Sequence, residues 1–258
     1  MNMIEAILLG LLQGFTEFLP VSSSGHILLA QKILLNNLDL PLMISVHMGT
    51  ALAILIFFRY RIRRMLYSII KTADASYKEE RKLWKYLILA SIPAAIAGFF
   101  IEPKIDQISS VFLVSACWIV NGLILFFGEL LVQKNQKNIP INLFSSLVIG
   151  IAQAVAILPG ISRSGTTITA GKNAGLKSED AFEFSFFLGI IAIGGGLVLE
   201  LIKHPQGFNY NSIIGAITGM ISGYIALMLL SKTVYANKMK WFGFYTIIAG
   251  VILFLIRP

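Results

Sequence analysis

The sequence predicts an all-α, polytopic integral membrane protein with about six transmembrane helices and two re-entrant helix–loop–helix hairpins. Its 258 residues are 56% hydrophobic and only 13% charged, whereas an ordinary soluble domain is about one-quarter charged. Mean hydropathy is +0.78. Several apolar runs approach or exceed the roughly 17–25 residues that a helix needs to cross a bilayer. The short alternating segments that are typical of a transmembrane barrel are not found.

The apolar runs fall into two kinds. Six are uninterrupted and predict simple spans: 42–58, 86–101, 111–131, 182–202, 212–230 and 241–256. Two further regions, 4–35 and 143–176, are broken in the middle by Pro, Gly and hydroxyl residues. Irregular backbone is tolerated at membrane depth only where protein buries it or it lines a wet cavity. We therefore expect these two regions to be re-entrant hairpins.

The net charge of +8 is concentrated in one stretch of the chain, residues 59–85. This clustering is typical of a cytoplasmic loop under the positive-inside rule. With that loop inside, the other basic residues alternate as the rule requires, provided that the two broken regions do not cross the membrane. We expect no nucleic-acid partner, and binding of a phosphorylated lipid by this loop is a minor alternative.

The first residues and the single cysteine give no sign of a secreted protein. Residues 1–20 lack a basic leading segment, and Glu5, Gln13 and Glu17 interrupt their apolar run, so a signal peptide is not predicted. Cys117 lies in an apolar run, where we expect it to pack without a disulfide partner.

The two broken regions resemble each other. "GLLQGFTEFLPVSSSG" at 10–25 aligns with "GIAQAVAILPGISRSG" at 150–165 at one constant offset, which also relates Ser45 to Ser185. We predict a single membrane domain, 1–258, built from repeat one (about 1–135) and repeat two (about 140–258). Each repeat holds one hairpin and three spans, so the second enters from the opposite side. Inverted repeats of this kind place the functional site at their interface. Chance similarity of Gly- and Ser-rich apolar segments is the alternative.

Glu17 and Arg163 are the charges placed deepest in the broken segments. A charge within the membrane costs several kcal/mol unless it is paired or hydrated, and by default it marks a functional site. The alternative is a purely structural ion pair that closes the repeat interface. That alternative leaves the surrounding hydroxyl groups unexplained.

Hydroxyl residues and one histidine surround these two charges. Ser22, Ser23 and Ser24 precede His26, and further hydroxyl residues flank Arg163 in "PGISRSGTT" at 159–167. Free N–H groups at a helix start, hydroxyl donors and a guanidinium together favour an anion such as phosphate, although helix capping would also use serines. His26 is a candidate general acid or base, whereas His47 is expected to pack or to donate from behind the site. These residues alone leave hydrolysis and transport of a phosphate equally open.

Two motifs carry a family resemblance over the whole chain. "QGFTEFLPVSSSGH" (13–26) and "PGISRSGTT" (159–167) resemble the signature motifs of the undecaprenyl-diphosphate phosphatase family of the bacitracin-resistance type. The resemblance implies a hydrolase that converts undecaprenyl diphosphate to undecaprenyl phosphate, the carrier lipid of peptidoglycan synthesis. It also implies a bacterial inner-membrane location, an active site facing the outer side, and a divalent cation, Mg or Ca.

The resemblance also assigns roles to residues. Glu17 would be the essential carboxylate and metal ligand, Ser23 the nucleophile, His26 the proton-transfer partner and Arg163 the diphosphate clamp. The substrate pocket would be lined by Gln13, Ser22, Ser24, Gly160, Ser162, Ser164 and Thr167. Many members have Glu where this chain has Gln13, which leaves Glu17 as the only carboxylate in the first motif.

Three points stay open at this stage. The attacking group could be Ser23, His26 or an activated water. A flippase or transporter of a phosphorylated lipid, and a structural scaffold, are the alternative functions, and the first could coexist with hydrolysis. Oligomeric state and prenyl chain length are not predicted.

Overall fold

A computed structural model describes residues 2–33, 39–135, 137–203 and 207–256 of the chain. These residues form eleven α-helices and one short 3-10 helix at Ala75–Tyr77. The α-helices are α1 (Met3–Phe18), α2 (Ser23–Ile33), α3 (Leu40–Phe57), α4 (Arg59–Ile70), α5 (Lys78–Ile108), α6 (Val111–Asn135), α7 (Leu143–Val155), α8 (Arg163–Asn173), α9 (Ser178–Lys203), α10 (Tyr210–Tyr235) and α11 (Lys240–Ile256).

The all-α, multi-pass membrane architecture predicted from the sequence is confirmed. Within the described ranges, five helices are long and apolar enough to cross a membrane: α3, α5, α6, α9 and α10. The sixth predicted span corresponds to α11, which is apolar but has only 17 residues. That length lies at the lower limit of the roughly 17–25 residues needed for a crossing. The number of crossings therefore stays a prediction.

Helices cover more of the chain than the sequence predicted. The basic stretch 59–85, predicted as a loop, contains α4, the 3-10 helix and the start of α5. Helix α5 then continues to Ile108, beyond the predicted span 86–101. Helix α4 forms because its buried residues, Met65 and Ser68, are spaced to share one face. The end of the first predicted hairpin at 34–35 and part of the loop after α9, at 204–206, lie outside the described residues.

The two predicted repeats begin in the same way. Asn2 caps α1 in a capping box with Glu5, and Asn142 caps α7 in a capping box with Ser145. Both boxes satisfy free N–H groups at the helix start. The two pairs of positions are related by the same offset that aligns the broken motifs.

Each hairpin packs against a long helix of the other predicted repeat. Helix α1 lies along α10, α7 lies along α5, and α6 pairs with α11. Glycines permit these close approaches: a Cβ atom at Gly14 would collide with Ser222, and one at Gly150 would lie 2.5 Å from the backbone oxygen of Ala90. The division into two repeats stays a prediction, but this exchange of partners brings both broken segments to the centre of the molecule.

A cluster of packed aromatic side chains surrounds the end of α1. Phe18 packs edge-to-face on Phe186 of α9 with ring centroids 5.6 Å apart, and Phe182 and Phe58 extend the cluster. Phe18 and Phe186 are 0% and 1% exposed. Because Glu17 precedes Phe18, this packing fixes the backbone that presents the Glu17 carboxylate.

Candidate active site

The tips of the two hairpins meet directly. The Ser164 hydroxyl donates to the Phe18 carbonyl oxygen at 2.8 Å, and the Gly160 N–H donates to Ser24 Oγ at 3.4 Å. Both contacts join the segment from the end of α1 to the start of α2 with the segment from Gly160 to the start of α8. The two sequence motifs therefore form a single site, as the inverted-repeat interpretation expects.

Asn121 of α6 ties the two loops together and was not predicted as a site residue. Its Nδ2 donates to the Pro20 carbonyl oxygen at 3.0 Å, and its Oδ1 accepts the Ser162 N–H at 2.9 Å. The Asn121 side chain is 0% exposed, so both bonds are made away from water. An Asn inside an apolar run was the available signal, because a buried amide requires partners.

The Glu17 carboxylate is the centre of the site. Its Oε1 accepts from Arg163 Nη2 at 2.6 Å, while its Oε2 accepts from Ser23 Oγ at 2.8 Å and from Gln13 Nε2 at 3.0 Å. The Arg163 and Glu17 side chains are 17% and 10% exposed. The pair is thus largely shielded but still reachable by a ligand.

The constant offset between the repeats relates Ser23 to Arg163. Each is at the start of the second helix of its hairpin, and both side chains converge on Glu17. The position equivalent to Glu17 is Ile157, which has no charge. The positions related by this offset are therefore chemically different, and the site combines a hydroxyl, a carboxylate and a guanidinium.

Helix α9 packs against Arg163 and the residues that follow it in α8. A Cβ atom at Gly189 would collide with the Arg163 guanidinium, so only glycine leaves room for that side chain. One helical turn away, the Ser185 hydroxyl shares a hydrogen bond of 2.5 Å with Thr167, whose hydroxyl also lies 2.7 Å from the Arg163 carbonyl oxygen. The orientation of the guanidinium is set by this packing.

His26 has partners for both ring nitrogens. Nδ1 lies 2.8 Å from the Ser22 carbonyl oxygen, and Nε2 lies 2.8 Å from the Tyr245 hydroxyl of α11. A carbonyl oxygen only accepts, so Nδ1 carries a proton, and in the neutral ring Nε2 then accepts from the Tyr245 hydroxyl. The His26 ring also lies against Trp118 in a tilted arrangement, with ring centroids 4.7 Å apart. The structure thus places Glu17, and not His26, beside the Ser23 hydroxyl.

Two residues in the segments that meet at the site, Ser22 and Gly160, have positive φ angles. Gly160 has φ of 104°, and a Cβ atom there would lie 2.6 Å from the Cys117 Cβ. Ser22 has φ of 69°, which is uncommon for a residue with a side chain. That conformation directs the Ser22 carbonyl oxygen to the His26 ring. Such strained positions concentrate at functional sites.

The predicted nucleophile and the predicted phosphate-pocket hydroxyls divide into two groups. Ser23, the predicted nucleophile, is half-buried and Ser24 is exposed, so both face the accessible side of the site. The other pocket hydroxyls are buried and lie within hydrogen-bond distance of other protein groups: Ser22, Ser162, Ser164 and Thr167. In this structure the buried group shapes the two loops, and its direct contact with phosphate stays a prediction.

The site offers few ligands for a metal ion. Among the described residues, no group of three or more His, Cys, Asp or Glu side chains is placed to hold one. Next to Glu17, however, Gln13 Oε1 is buried and has no hydrogen-bond partner. One carboxylate and one amide oxygen fit a Mg²⁺ ion that takes its remaining oxygens from substrate phosphate and water.

Comparison with known proteins covers almost the entire chain. A family model described as bacitracin resistance protein BacA matches residues 6–252, which include both hairpins, Asn121 and Tyr245. The chain belongs to the BacA family.

The chain aligns with relatives of the BacA family over nearly the full length of both proteins. The undecaprenyl-diphosphatase of Korarchaeum cryptofilum is 34% identical, over 97% of this chain and 98% of that protein. The undecaprenyl-diphosphatase of Methanococcus maripaludis strain C7 is 36% identical over 96% of this chain and 97% of that protein. The protein of the same name from Syntrophotalea carbinolica is 35% identical over 99% of both. The family resemblance carried by the two motifs is thereby confirmed.

Proposed function

We propose that this BacA-family protein is a membrane phosphatase that hydrolyses undecaprenyl diphosphate to undecaprenyl phosphate and inorganic phosphate. The observation that carries the proposal is the Glu17 carboxylate, which contacts a hydroxyl and a guanidinium at the same time. A carboxylate can activate the hydroxyl as a nucleophile, and a guanidinium can neutralise the charge that develops on a phosphoryl group. In a cell this activity recycles the carrier lipid of peptidoglycan synthesis and accounts for the bacitracin resistance associated with the family.

The first chemical step begins with the 2.8 Å hydrogen bond from Ser23 Oγ to Glu17 Oε2. Glu17 takes the hydroxyl proton while Ser23 Oγ forms a bond to the terminal phosphorus. The bond between that phosphorus and the bridging oxygen breaks, and undecaprenyl phosphate leaves. Water then attacks the phosphoserine, inorganic phosphate leaves, and Ser23 regains its proton.

Arg163 has the second role in this scheme. When diphosphate enters, the guanidinium can turn from Glu17 Oε1 to two phosphate oxygens, because it presents a planar fork of donors. The start of α8, where Arg163 is the first residue, adds the partial positive charge of a helix N-terminus. The loss of the Glu17 partner frees the carboxylate to take a proton from Ser23.

A divalent cation also belongs to the proposal. Glu17 and the Gln13 Oε1 would hold it against the diphosphate, where it would neutralise phosphate charge. Since the protein supplies so few oxygens, we expect the cation to bind tightly only together with the substrate.

A groove of about 390 Å³ between α3 and α9 suits the first isoprene units of the substrate. Its walls are mainly apolar, and His47 and Glu200 supply its polar groups. On α9 the lining residue Ile193 lies one turn from Gly189, against which Arg163 packs. The groove therefore leads towards the proposed phosphate site, and the rest of the tail would remain in the bilayer.

We further propose that the protein lies in the inner membrane with its site open to the outer side. The groove lies beside the start of α3, which includes Leu40, and beside the last turns of α9, which include Glu200. The basic helix α4 follows the other end of α3. Because basic residues favour the cytoplasmic side, the groove would face outward.

The test is phosphate release from undecaprenyl diphosphate by the purified protein in detergent, with added Mg²⁺ or with EDTA, beside the Arg163→Ala variant. We expect release by the wild type with Mg²⁺, and a loss of roughly 10²–10³-fold or more after the substitution, because a charge-stabilising donor is removed. EDTA should abolish release, and added Mg²⁺ should restore it.

The Ser91→Ala variant is a matched control, because its hydroxyl bonds only to Leu87 O on α5. It should keep wild-type activity. Absence of phosphate release by a folded wild-type protein with any divalent cation would overturn the phosphatase proposal. Full activity in EDTA would overturn only the proposed cation.

A further inference from the structure

Helix α4 carries four arginines that fall into two pairs. Arg61 donates to Glu80 at 2.8 Å and to Glu183 at 2.7 Å, and Arg64 donates to Glu80 at 2.6 Å. Glu80 is 1% exposed. These ion pairs hold α4 against the starts of α5 and α9. The carboxylates of Glu80 and Glu183 neutralise the charges of Arg61 and Arg64.

Arg59 and Arg63 form the other pair and have no carboxylate partner among the described residues. Arg59 donates to the Ile56 carbonyl oxygen at 3.0 Å and lies over the Tyr60 ring, while Arg63 is 3.4 Å from the Tyr67 hydroxyl. Both arginines are exposed. They are four residues apart, so they lie on the same face of the helix.

An apolar groove of about 390 Å³ runs beside these two arginines. Its apolar lining comes from Leu55, Ile62, Leu66 and Ile70. Leu66 and Ile70 are 52% and 77% exposed, which is unfavourable in water. An amphipathic helix with exposed apolar residues and unpaired arginines is suited to the boundary between lipid headgroups and acyl chains.

We propose that Arg59, Arg63 and this groove form a binding site for an anionic phospholipid. The phosphate of the headgroup would accept hydrogen bonds from the two guanidinium groups, and an acyl chain would lie along Leu55, Ile62 and Leu66. The charge argues for an anionic lipid, since a zwitterionic headgroup brings its own cation to the two arginines. The site is separate from Glu17 and Arg163 and does not depend on the proposed phosphatase activity.

The experiment is native mass spectrometry of the purified full-length protein, titrated with phosphatidylglycerol or with phosphatidylcholine of the same chain length. We expect the wild type to retain phosphatidylglycerol preferentially. The double variant Arg59→Gln/Arg63→Gln should weaken that retention by roughly tenfold or more, because each basic residue near an anionic headgroup contributes substantially. The Arg59→Lys/Arg63→Lys variant should keep most of it.

The control is Lys78→Gln/Lys85→Gln, which removes the same charge from exposed positions of α5. It should retain phosphatidylglycerol as the wild type does. Equal weakening in the control, equal retention of both lipids, or retention of undecaprenyl phosphate in place of phosphatidylglycerol would each overturn the proposal. If the double Gln variant does not fold, the wild type still decides: its thermal midpoint in detergent should rise with phosphatidylglycerol and not with phosphatidylcholine.

Discussion

At the residue scale, three polar side chains converge on the Glu17 carboxylate, and His26 lies in a separate hydrogen-bonded group beside them. Glu17 accepts hydrogen bonds from Ser23, Gln13 and Arg163, whereas His26 is held by Ser22 and Tyr245. The proximity of Glu17 to Ser23 favours the carboxylate as the base for that hydroxyl. The His26 ring lies against Trp118, and its role in proton transfer stays a prediction.

Replacement of the Ser23 hydroxyl tests this assignment. If Ser23 Oγ forms the bond to phosphorus, Ser23→Ala should lower kcat by at least roughly 10³-fold and leave KM nearly unchanged. Steady-state phosphate release from the lipid diphosphate gives both constants. Ser24→Ala is the comparison, because Ser24 bonds to Ser22 and Gly160 and not to Glu17. A Ser23→Ala enzyme with near-normal kcat would assign the attack to water or to His26.

Small residues decide the packing at the scale of the elements. Helix α1 approaches α10 so closely that a side chain at Gly14 would meet Ser222 and, at 2.7 Å, the Gly219 backbone oxygen. Helix α7 meets α5 in the same way at Gly150. Small residues at such contacts are the usual means by which membrane helices pack tightly. Gly14 thus allows α1 to pack closely on α10, and Gly150 allows α7 to pack closely on α5. Neither α10 nor α5 carries a catalytic candidate.

Gly14→Ala should therefore destabilise the protein. Overpacking a tight contact typically costs about 1–3 kcal/mol, and the thermal midpoint in detergent should fall accordingly. Gly195→Ala is the matched control, because a Cβ atom at Gly195 on α9 would meet nothing within 4 Å. Its midpoint should stay the same or rise slightly, since alanine favours a helix. An unchanged midpoint for Gly14→Ala would show that α1 and α10 can separate without cost.

The distribution of charge decides the orientation at the scale of the whole molecule. Basic residues gather at the end where α4 and the start of α5 meet, and Arg61, Arg64, Glu80 and Glu183 fix that end. The last described residue of α9, Lys203, is at the opposite end of that helix. We expect the first end in the cytoplasm and the second outside.

Single cysteines at the two ends would test this orientation. In a Cys117→Ala background, intact cells treated with a membrane-impermeant maleimide should label Gly207→Cys and not Lys78→Cys. Permeabilised cells should label both, which serves as the control for exposure. Labelling of Lys78→Cys alone in intact cells would invert the topology and with it the proposed outward opening of the site.

The sequence by itself determined the helical membrane architecture and indicated the two broken segments with their candidate site residues. These features are local: apolar length, Pro and Gly interruptions, and charges too costly to bury without a reason. The extent of α4 and α5 was not predicted, because a basic stretch was interpreted as a loop although its apolar residues recur at helical spacing.

Only the tertiary structure decided which of these residues meet. Asn121, Tyr245 and Gly189 are distant in sequence from both motifs. An Asn in an apolar run signals only that it needs partners, and nothing local shows which loops it bridges or that Gly189 makes room for a guanidinium. The same holds for the assignment of Ser23 to Glu17, since spacing alone also allowed His26. Hydrogen bonds between distant segments depend on how helices cross. That crossing is set by the packing of the whole chain, so the sequence could propose candidate site residues but not the contacts between them.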